Sequence, residues 1–499
     1  MLSINYLLCL CFLIASICAQ SINLERSLPR LYHRNESSAQ IVTYPKPASL
    51  GNNTSFSVKV RSPKGNWTSL DAYLVNLSLI NTTTGSSATQ KSSMAYFDFG
   101  GTVEVSVTYN TAPVTTAVIR PYSYGLLPQI SGNNTVTFTL DRPRNIILQV
   151  NDNIFDCLHL LSSTIEIDNP SENSTDVIYF GPGVHNIAGN MLQVPSGKTV
   201  YIAGGGVLTA TLNFSGVHDA GLRGRGILQT TSGGAIVVEY SQNITIDGAI
   251  TVLNPNGYAI SSGEVNGFTI QGLRAFSNKG NGDGIDLFCC QNAVIDSVFM
   301  RNSDDCIALY NHRWNYYGNS SNITIQNSSL WADVAHPINI GTHGNTDDPE
   351  TMDRVTITNI DILDHREPQM LYQGTIAINP GDSNMIQNVH IENIRVEDFR
   401  EGQLVNMRVM FNTMYNTSPG RGIANVTIKD MVYNGTHANP SILEGYDSDR
   451  SIDFITFENL VINGKQIADT MKKPAWYETS DFVPMFANDH TNNLTFLIT

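Results

Sequence analysis

The chain has 499 residues, 41% of them apolar and 15% charged, with a formal net charge of −15. That balance excludes a nucleic-acid surface built from clustered Lys and Arg, so no nucleic-acid partner is expected. It also disfavours a strongly polyanionic substrate unless a local basic cleft overrides the global sign.

In chain order, the first element is the N-terminal stretch MLSINYLLCLCFLIASICAQ. Its apolar run, Tyr6 to Ile17, is too short to span a bilayer and ends in Cys18-Ala19-Gln20. It reads as a signal peptide over residues 1–19, although no Lys or Arg precedes the apolar core. No later segment approaches 18 consecutive apolar residues, so no membrane association is expected. The mature protein is expected to be secreted, extracellular and monomeric. N-x-S/T sequons begin at Asn35, Asn53, Asn66, Asn76, Asn81, Asn173, Asn213, Asn243, Asn322, Asn327, Asn416, Asn425, Asn434 and Asn493. Their density points to N-linked glycans. Removing the signal peptide leaves Cys157, Cys289, Cys290 and Cys306, at most a bridge or two with the pairing open, and no zinc-like Cys/His spacing.

Residues 20–170 carry period-two segments such as SFSVKV (55–60), TVEVSV (102–107) and NTVTFTL (134–140), separated by turn clusters. They predict short antiparallel strands in a β-sandwich, with no catalytic constellation. Residues 171–499 change character. An apolar-x-apolar unit flanked by Asn, Asp or Gly recurs as NITIDG, GFTIQG, NAVIDS, NITIQN, RVTITN, NVHIEN, NVTIKD and FITFEN. Anchored on Ile246, Ile270, Ile295, Ile325, Ile357, Ile391, Ile428 and Phe457, the steps are 24, 25, 30, 32, 34, 37 and 29 residues. One short strand per step, without helical periodicity between, predicts a solenoid: a right-handed parallel β-helix, all-β, with the stretch from about Lys472 as a C-terminal tail.

Within the repeat, NGDGIDLFCCQNAVIDSVFMRNSDDCIALY (281–310) holds Asp283, Asp286, Asp296, Asp304 and Asp305 among apolar residues. Crowded carboxylates there cost free energy unless something uses them. Asp283 and Asp304 are 21 residues apart, about one coil, so Asp283 is expected beside Asp304 or Asp305 on a neighbouring rung. One strand spacing plus lateral offset gives an expected gap of roughly 6–9 Å, room for a water beside a sugar ring and hence for inversion. Crowding keeps one acid protonated near neutrality, as glycosidic cleavage requires. Turn-capping aspartates, or a calcium site, are the competing readings.

The stretch resembles glycoside hydrolase family 28, the polygalacturonases, whose motifs are N-T-D, D-D, G-H-G and R-I-K. Asn281-Gly282-Asp283 matches the first apart from its middle residue, Asp304-Asp305 matches the second, and Ala335-His336-Pro337 stands for the third with both glycines replaced. The resemblance implies Asp304 as general acid, Asp283 and Asp305 activating water, and His336 tuning protonation. R-I-K is missing: after Tyr372 the chain reads Gln373-Gly374-Thr375-Ile376-Ala377-Ile378-Asn379. The cations that would hold a galacturonate carboxylate are therefore absent there. A leading β-sandwich plus three aspartates also resembles glycoside hydrolase family 49, the dextranases and isopullulanase, which implies a neutral α-glucan such as dextran or pullulan. Pectin cleavage is the alternative, and Arg408 and Arg313 are the cations that would serve it. The loop Tyr310–Tyr317, with Arg313, Trp314 and Tyr316, is the expected subsite wall, because flat rings stack on sugar faces. Asn281, Asp286, Tyr372 and Asn379 complete the expected substrate contacts. The expected partner is a polysaccharide, with no cofactor and no metal. A Ca²⁺-dependent β-helix lyase and a non-catalytic glycan-binding β-helix remain as further readings.

Overall fold

The computed structural model describes residues 39–81, 83–472 and 484–499. The expected signal peptide and the Asn35 sequon lie outside the described residues.

The leading segment is the expected sandwich. One sheet orders strands Gln40–Thr43, Ser87–Gly100, Leu158–Ser163, Asn145–Val150 and Ala117–Arg120, with Tyr73–Ile80 also on Ser87–Gly100. The facing sheet orders Thr68–Leu70, Phe56–Arg61, Val103–Tyr109, Thr135–Leu140 and Gln129–Ser131. Period two decides the faces: Phe56, Val58 and Val60 are buried while Ser57 and Lys59 are exposed. The last sandwich strand ends at Ser163 and the next strand, Val177–Phe180, opens the solenoid.

From there the chain forms one 29-stranded, almost wholly parallel sheet system, a right-handed β-helix. The repeat anchors stack in register: Leu222↔Ile246, Ile246↔Ile270, Ile270↔Ile295, Ile295↔Ile325, then Ile357, Ile391, Ile428 and Phe457. All are buried, and this apolar column is the interior of the solenoid. The expected tail differs. Its described part, Met485–Ala487 and Thr491–Leu497, pairs in parallel with Ser441–Glu444 and Ile452–Glu458, so it adds a further coil. Phe496 stacks on Phe457 with ring centroids 4.8 Å apart, burying a face that a loose tail would leave wet.

The Asn residues that flank the units are turn devices. Asn243, Asn322, Asn327, Asn388 and Asn425 have φ between 53° and 57°, the left-handed region that Asn tolerates. Their amides climb from coil to coil: Asn322 donates to Asn292 (2.7 Å), Asn327 to Asp296 (2.8 Å) and Asn425 to Asn388 (3.2 Å). Cys157, Cys289, Cys290 and Cys306 are buried free thiols.

The sandwich packs on the sheet formed by Thr251–Leu253, Arg274–Phe276 and Phe299–Asn302: Phe276, Phe299 and Trp331 join Met94, Tyr96, Ile147 and Leu161 in one cluster. Arg301 rivets the two. It is fully buried, lies 3.9 Å over Trp331, bonds Asp333 (3.2 Å) and donates to the Ile154 carbonyl (2.7 Å). Asn302, Ser303 and the acid pair follow directly.

Candidate active site

The register places the acids. Ile285↔Ile307 and Ile307↔Ile338 pair in consecutive rungs, so two residues earlier Asp283, Asp305 and His336 stand one above another. Backbone bonds fix this: Gly284 N donates to Asp305 O (2.8 Å) and Cys306 N to His336 O (2.8 Å). Sequence spacing allowed either member of the pair opposite Asp283, and the register selects Asp305. Asp304 sits just before it, held by a turn in which Ser303 Oγ donates to Lys279 O (2.6 Å) and Asn302 Nδ2 to Gly282 O (3.3 Å). The middle residue of Asn281-Gly282-Asp283 has to be small here: a Cβ on Gly282 would lie 2.3 Å from Ser303 Oγ.

One oxygen each of Asp283, Asp304 and Asp305 lies within 4.8 Å of the others. The expected 6–9 Å gap is thus corrected. Asp283 and Asp305 leave equivalent strand-start positions and Asp304 adjoins Asp305 in the same turn, so little lateral offset is added to the strand spacing. Three such oxygens are close enough to ligate one hard cation. They are also close enough to resist joint ionisation.

The charges separate by environment. Asp305 is 4% exposed, yet its carboxyl is held below the usual range. Burial raises it, and the His336 charge with three hydrogen bonds, two from His336 and one from Asn339, outweighs burial. His336 N (2.9 Å) and Nδ1 (2.7 Å) reach Oδ1, while Asn339 Nδ2 (2.8 Å) and Tyr310 OH (3.3 Å) donate to Oδ2. His336 is driven up to about 9: burial lowers it, but Asp305 overcomes burial. Its Nε2 meets the Tyr372 carbonyl, so both ring nitrogens face acceptors, the environment of an imidazolium. Asp304, half-buried and the most open of the three, is pushed up to about 7 by burial and by Asp305. Burial and the neighbouring acids raise Asp283 and Asp286 well above the carboxylate range, and each keeps a buried Oδ1 without a partner. One anion beside a cation, among acids that retain protons, can donate a proton and accept another.

The other expected contacts divide. Asp286 points from its strand out of the apolar interior, in register with Ala308 and then Asn339. Tyr372 stands edge-on to His336 at 4.7 Å, with its hydroxyl 3.0 Å from Asn339 Nδ2. Asn379 is buried, donates to Asn406 (2.9 Å) and keeps an unpartnered Oδ1. Trp314 is 50% exposed and stands against Tyr258 and Phe288. Arg313 stacks on Trp314, makes no ion pair among the described residues, and its charge acts on Asp286, Tyr258 and His343. Tyr316 is tied down, its hydroxyl on Glu239 (2.7 Å) and its ring on the Gly263 backbone. Asn281 is exposed with φ 52° and serves the turn that presents Asp283. Arg408 is engaged by Glu444 (3.3 Å) and the Leu371 carbonyl (3.1 Å).

The profile of glycosyl hydrolases family 28 matches residues 199–475, more than half of the chain. The chain belongs to that family. That is the family the motif order implied. A polygalacturonase of Chamaecyparis obtusa is 28% identical over 174 residues, 34% of this chain and 31% of that one. A probable endopolygalacturonase D of Neosartorya fischeri is 25% identical over 229 residues, 46% and 43% respectively. The chain therefore spans less than half the length of these curated relatives. Dex49A from Penicillium minioluteum shares the fold at 14% identity, with TM-score 0.59, covering 93% of this chain and 98% of that one.

This family 28 site contains groups that sequence reasoning passed over. Asn339 Nδ2 reaches Asp305, Tyr310 (3.1 Å) and Tyr372 together, and Thr342 Oγ1 lies 3.1 Å from the Tyr372 hydroxyl. The signal for Asn339 was available. In Ile338-Asn339-Ile340 it occupies the outward place between two inward isoleucines, on the rung after the acid pair.

Proposed function

We propose that this family 28 glycosidase is a secreted polysaccharide hydrolase in which Asp304 is the general acid and Asp305, with Asp283, directs a water at the anomeric carbon. Acceptors bridged by one water sit roughly 4.5 Å apart, which matches the spacing of the acid cluster. Asp305 Oδ2, with one short bond and one long one, keeps capacity for the water's proton, and Asp283 Oδ1 is free to orient it. Asp304 passes its proton to the leaving glycosidic oxygen, and His336 keeps Asp305 ionised.

Carboxyls this close are more usual in retaining enzymes. Inversion is favoured here because Asp305, the ionised member, is locked by His336 and Asn339 and buried, which suits a base better than a carbon nucleophile. Following the anomer of the first product by NMR tests this, and a retained configuration would break it.

For the substrate, a neutral α-glucan fits best, and one observation carries that reading. Ala377 and Asn379 are the outward residues of the strand beyond the His336 rung, and neither can pair a uronate carboxylate. Pectin is the second reading, favoured by unpaired Arg313 and by the polygalacturonase relatives. Reducing-end release from dextran, pullulan and polygalacturonate decides between them. Activity on polygalacturonate alone would overturn the first reading.

A further inference from the structure

We propose that the crevice between the sandwich and the β-helix is a second, non-catalytic binding site that takes an acidic saccharide through its uronate carboxylate. The crevice measures about 480 Å³, within the roughly 300–1,000 Å³ of ligand pockets, and it shares no residue with the acid cluster. In a chain of net charge −15, four arginines line it: Arg142 and Arg144 from the sandwich, Arg225 and Arg274 from the coils.

Their partners leave charge over. Arg225 is spent on Asp98 (2.8 Å) and on the Gly224 and Thr164 carbonyls. Arg144 holds Asp141 (3.1 Å) and the Tyr124 carbonyl (3.1 Å), while its Nε is buried without a partner. Arg274 is 1% exposed and hydrogen-bonds neutral groups, Asn145 Oδ1 (3.1 Å) and Ser163 Oγ (2.8 Å), while the Asp98 carboxylate that Arg225 already holds is the anion acting on it. Burial lowers it to about 10, still cationic at neutrality. Arg142 is exposed at the mouth, and no carboxylate reaches it among the described residues. Asp247 is the acid on the wall, and it accepts from the Gly248 amide.

A buried guanidinium whose hydrogen bonds all go to neutral oxygens, and which shares the Asp98 charge with Arg225, is incompletely compensated, and an oxyanion entering the crevice would complete it. A bare ion would leave most of the volume unused. Gln271, Ser163 and Thr164 offer the amide and hydroxyl partners that a sugar ring takes up. Such a site anchors the enzyme on an acidic glycan while the acid cluster works elsewhere.

The test uses the full chain carrying Asp304→Asn, so that no probe is cut, with trigalacturonate, isomaltotriose and inorganic sulfate titrated by calorimetry at low and high salt. Adding Arg142→Gln and Arg144→Gln is expected to weaken trigalacturonate at least tenfold and flatten its salt dependence, leaving isomaltotriose unchanged. In the chain with Asp304 intact, the same pair leaves hydrolysis of a short soluble substrate unchanged. Arg142→Gln alone, at an exposed position that cannot disturb folding, should give part of the loss. Trigalacturonate affinity within twofold of the parent in both variants, no detectable binding by the parent, or sulfate binding as tightly as the trisaccharide would each overturn the proposal.

Discussion

His336 Nδ1 lies 2.7 Å from Asp305 Oδ1, one rung above it, and the His336 backbone N–H donates to the same oxygen at 2.9 Å. A single residue therefore supplies two donors, one of them charged, to the one carboxylate that the site keeps ionised. Replacing His336 with Ala removes the cation acting on both Asp305 and Asp304, so both carboxyls rise. Both limbs of the kcat/KM profile should move to higher pH, with activity at the old optimum lower by roughly 10²-fold. A profile unchanged in position would show that His336 is only packing.

The same pair has a stability consequence. His336 titrates at about 9 in the folded chain against 6.5 unfolded. Because the folded value is the higher, the stabilisation is complete below pH 6.5 and disappears as pH rises through about 9. The difference is on the order of 3 kcal/mol. Melting temperatures from pH 6 to 10 should fall more for the natural chain than for His336→Gln, and parallel curves would contradict the ion pair.

In the proposed mechanism Asp304 sets the alkaline limb. Held at about 7, it donates its proton below that pH and loses this capacity above it. Asp305, held low, must stay ionised, so the acid limb lies below the usual carboxylate range. Asp304→Asn should cost roughly 10²–10⁴ in kcat and abolish the limb near 7, with circular dichroism unchanged. Retained activity would move the acid role elsewhere.

Asn339→Ala removes the short bond to Asp305 Oδ2 and releases the Tyr310 and Tyr372 hydroxyls. The expected outcome is an acid limb displaced upward and a modest fall in kcat, with KM nearly constant, measured across pH 3 to 6. A change in KM alone would instead place Asn339 among sugar contacts.

The sequons sort by geometry. Asn416 is 5% exposed and its Nδ2 donates to Thr342 O (2.6 Å), so a glycan there is incompatible with the fold. Asn322, Asn327 and Asn425 spend their amides on the coil-to-coil ladder. Glycopeptide mass spectrometry of the chain produced in a eukaryotic secretory host should find occupancy at exposed Asn66, Asn81, Asn173 and Asn434, and none at Asn416.

Much of this was legible in sequence because a parallel β-helix turns chain position into height. The isoleucine anchors named the core column, and the acid spacing named neighbouring rungs. What escaped was local and angular. The 4.8 Å cluster depends on carboxylates leaving equivalent strand starts, which spacing alone does not reveal. The alternation of Ile338-Asn339-Ile340 turns Asn339 outward, but nothing in it names Asp305, Tyr310 and Tyr372 as the groups its amide reaches. Part of the sequon density has a physical origin in the fold. A left-handed Asn, an inward Ile, an outward Thr and another inward Ile spell N-I-T-I, so the solenoid's own turn produces the glycosylation motif.

The steps between anchors grow from 24 to 37 residues before the last falls to 29, while the anchors stay in register beneath. The surplus emerges as excursions between Tyr310 and Ser320, Gly341 and Thr351, Asp364 and Ile376, and Arg408 and Gly422, which carry Trp314, His343, Tyr372 and Tyr415. Floor and banks are thus under separate control. Shortening or exchanging one excursion would re-cut the trench for a different glycan and leave the proton chemistry where it stands, so descendants of one scaffold can diversify in diet without reinventing hydrolysis.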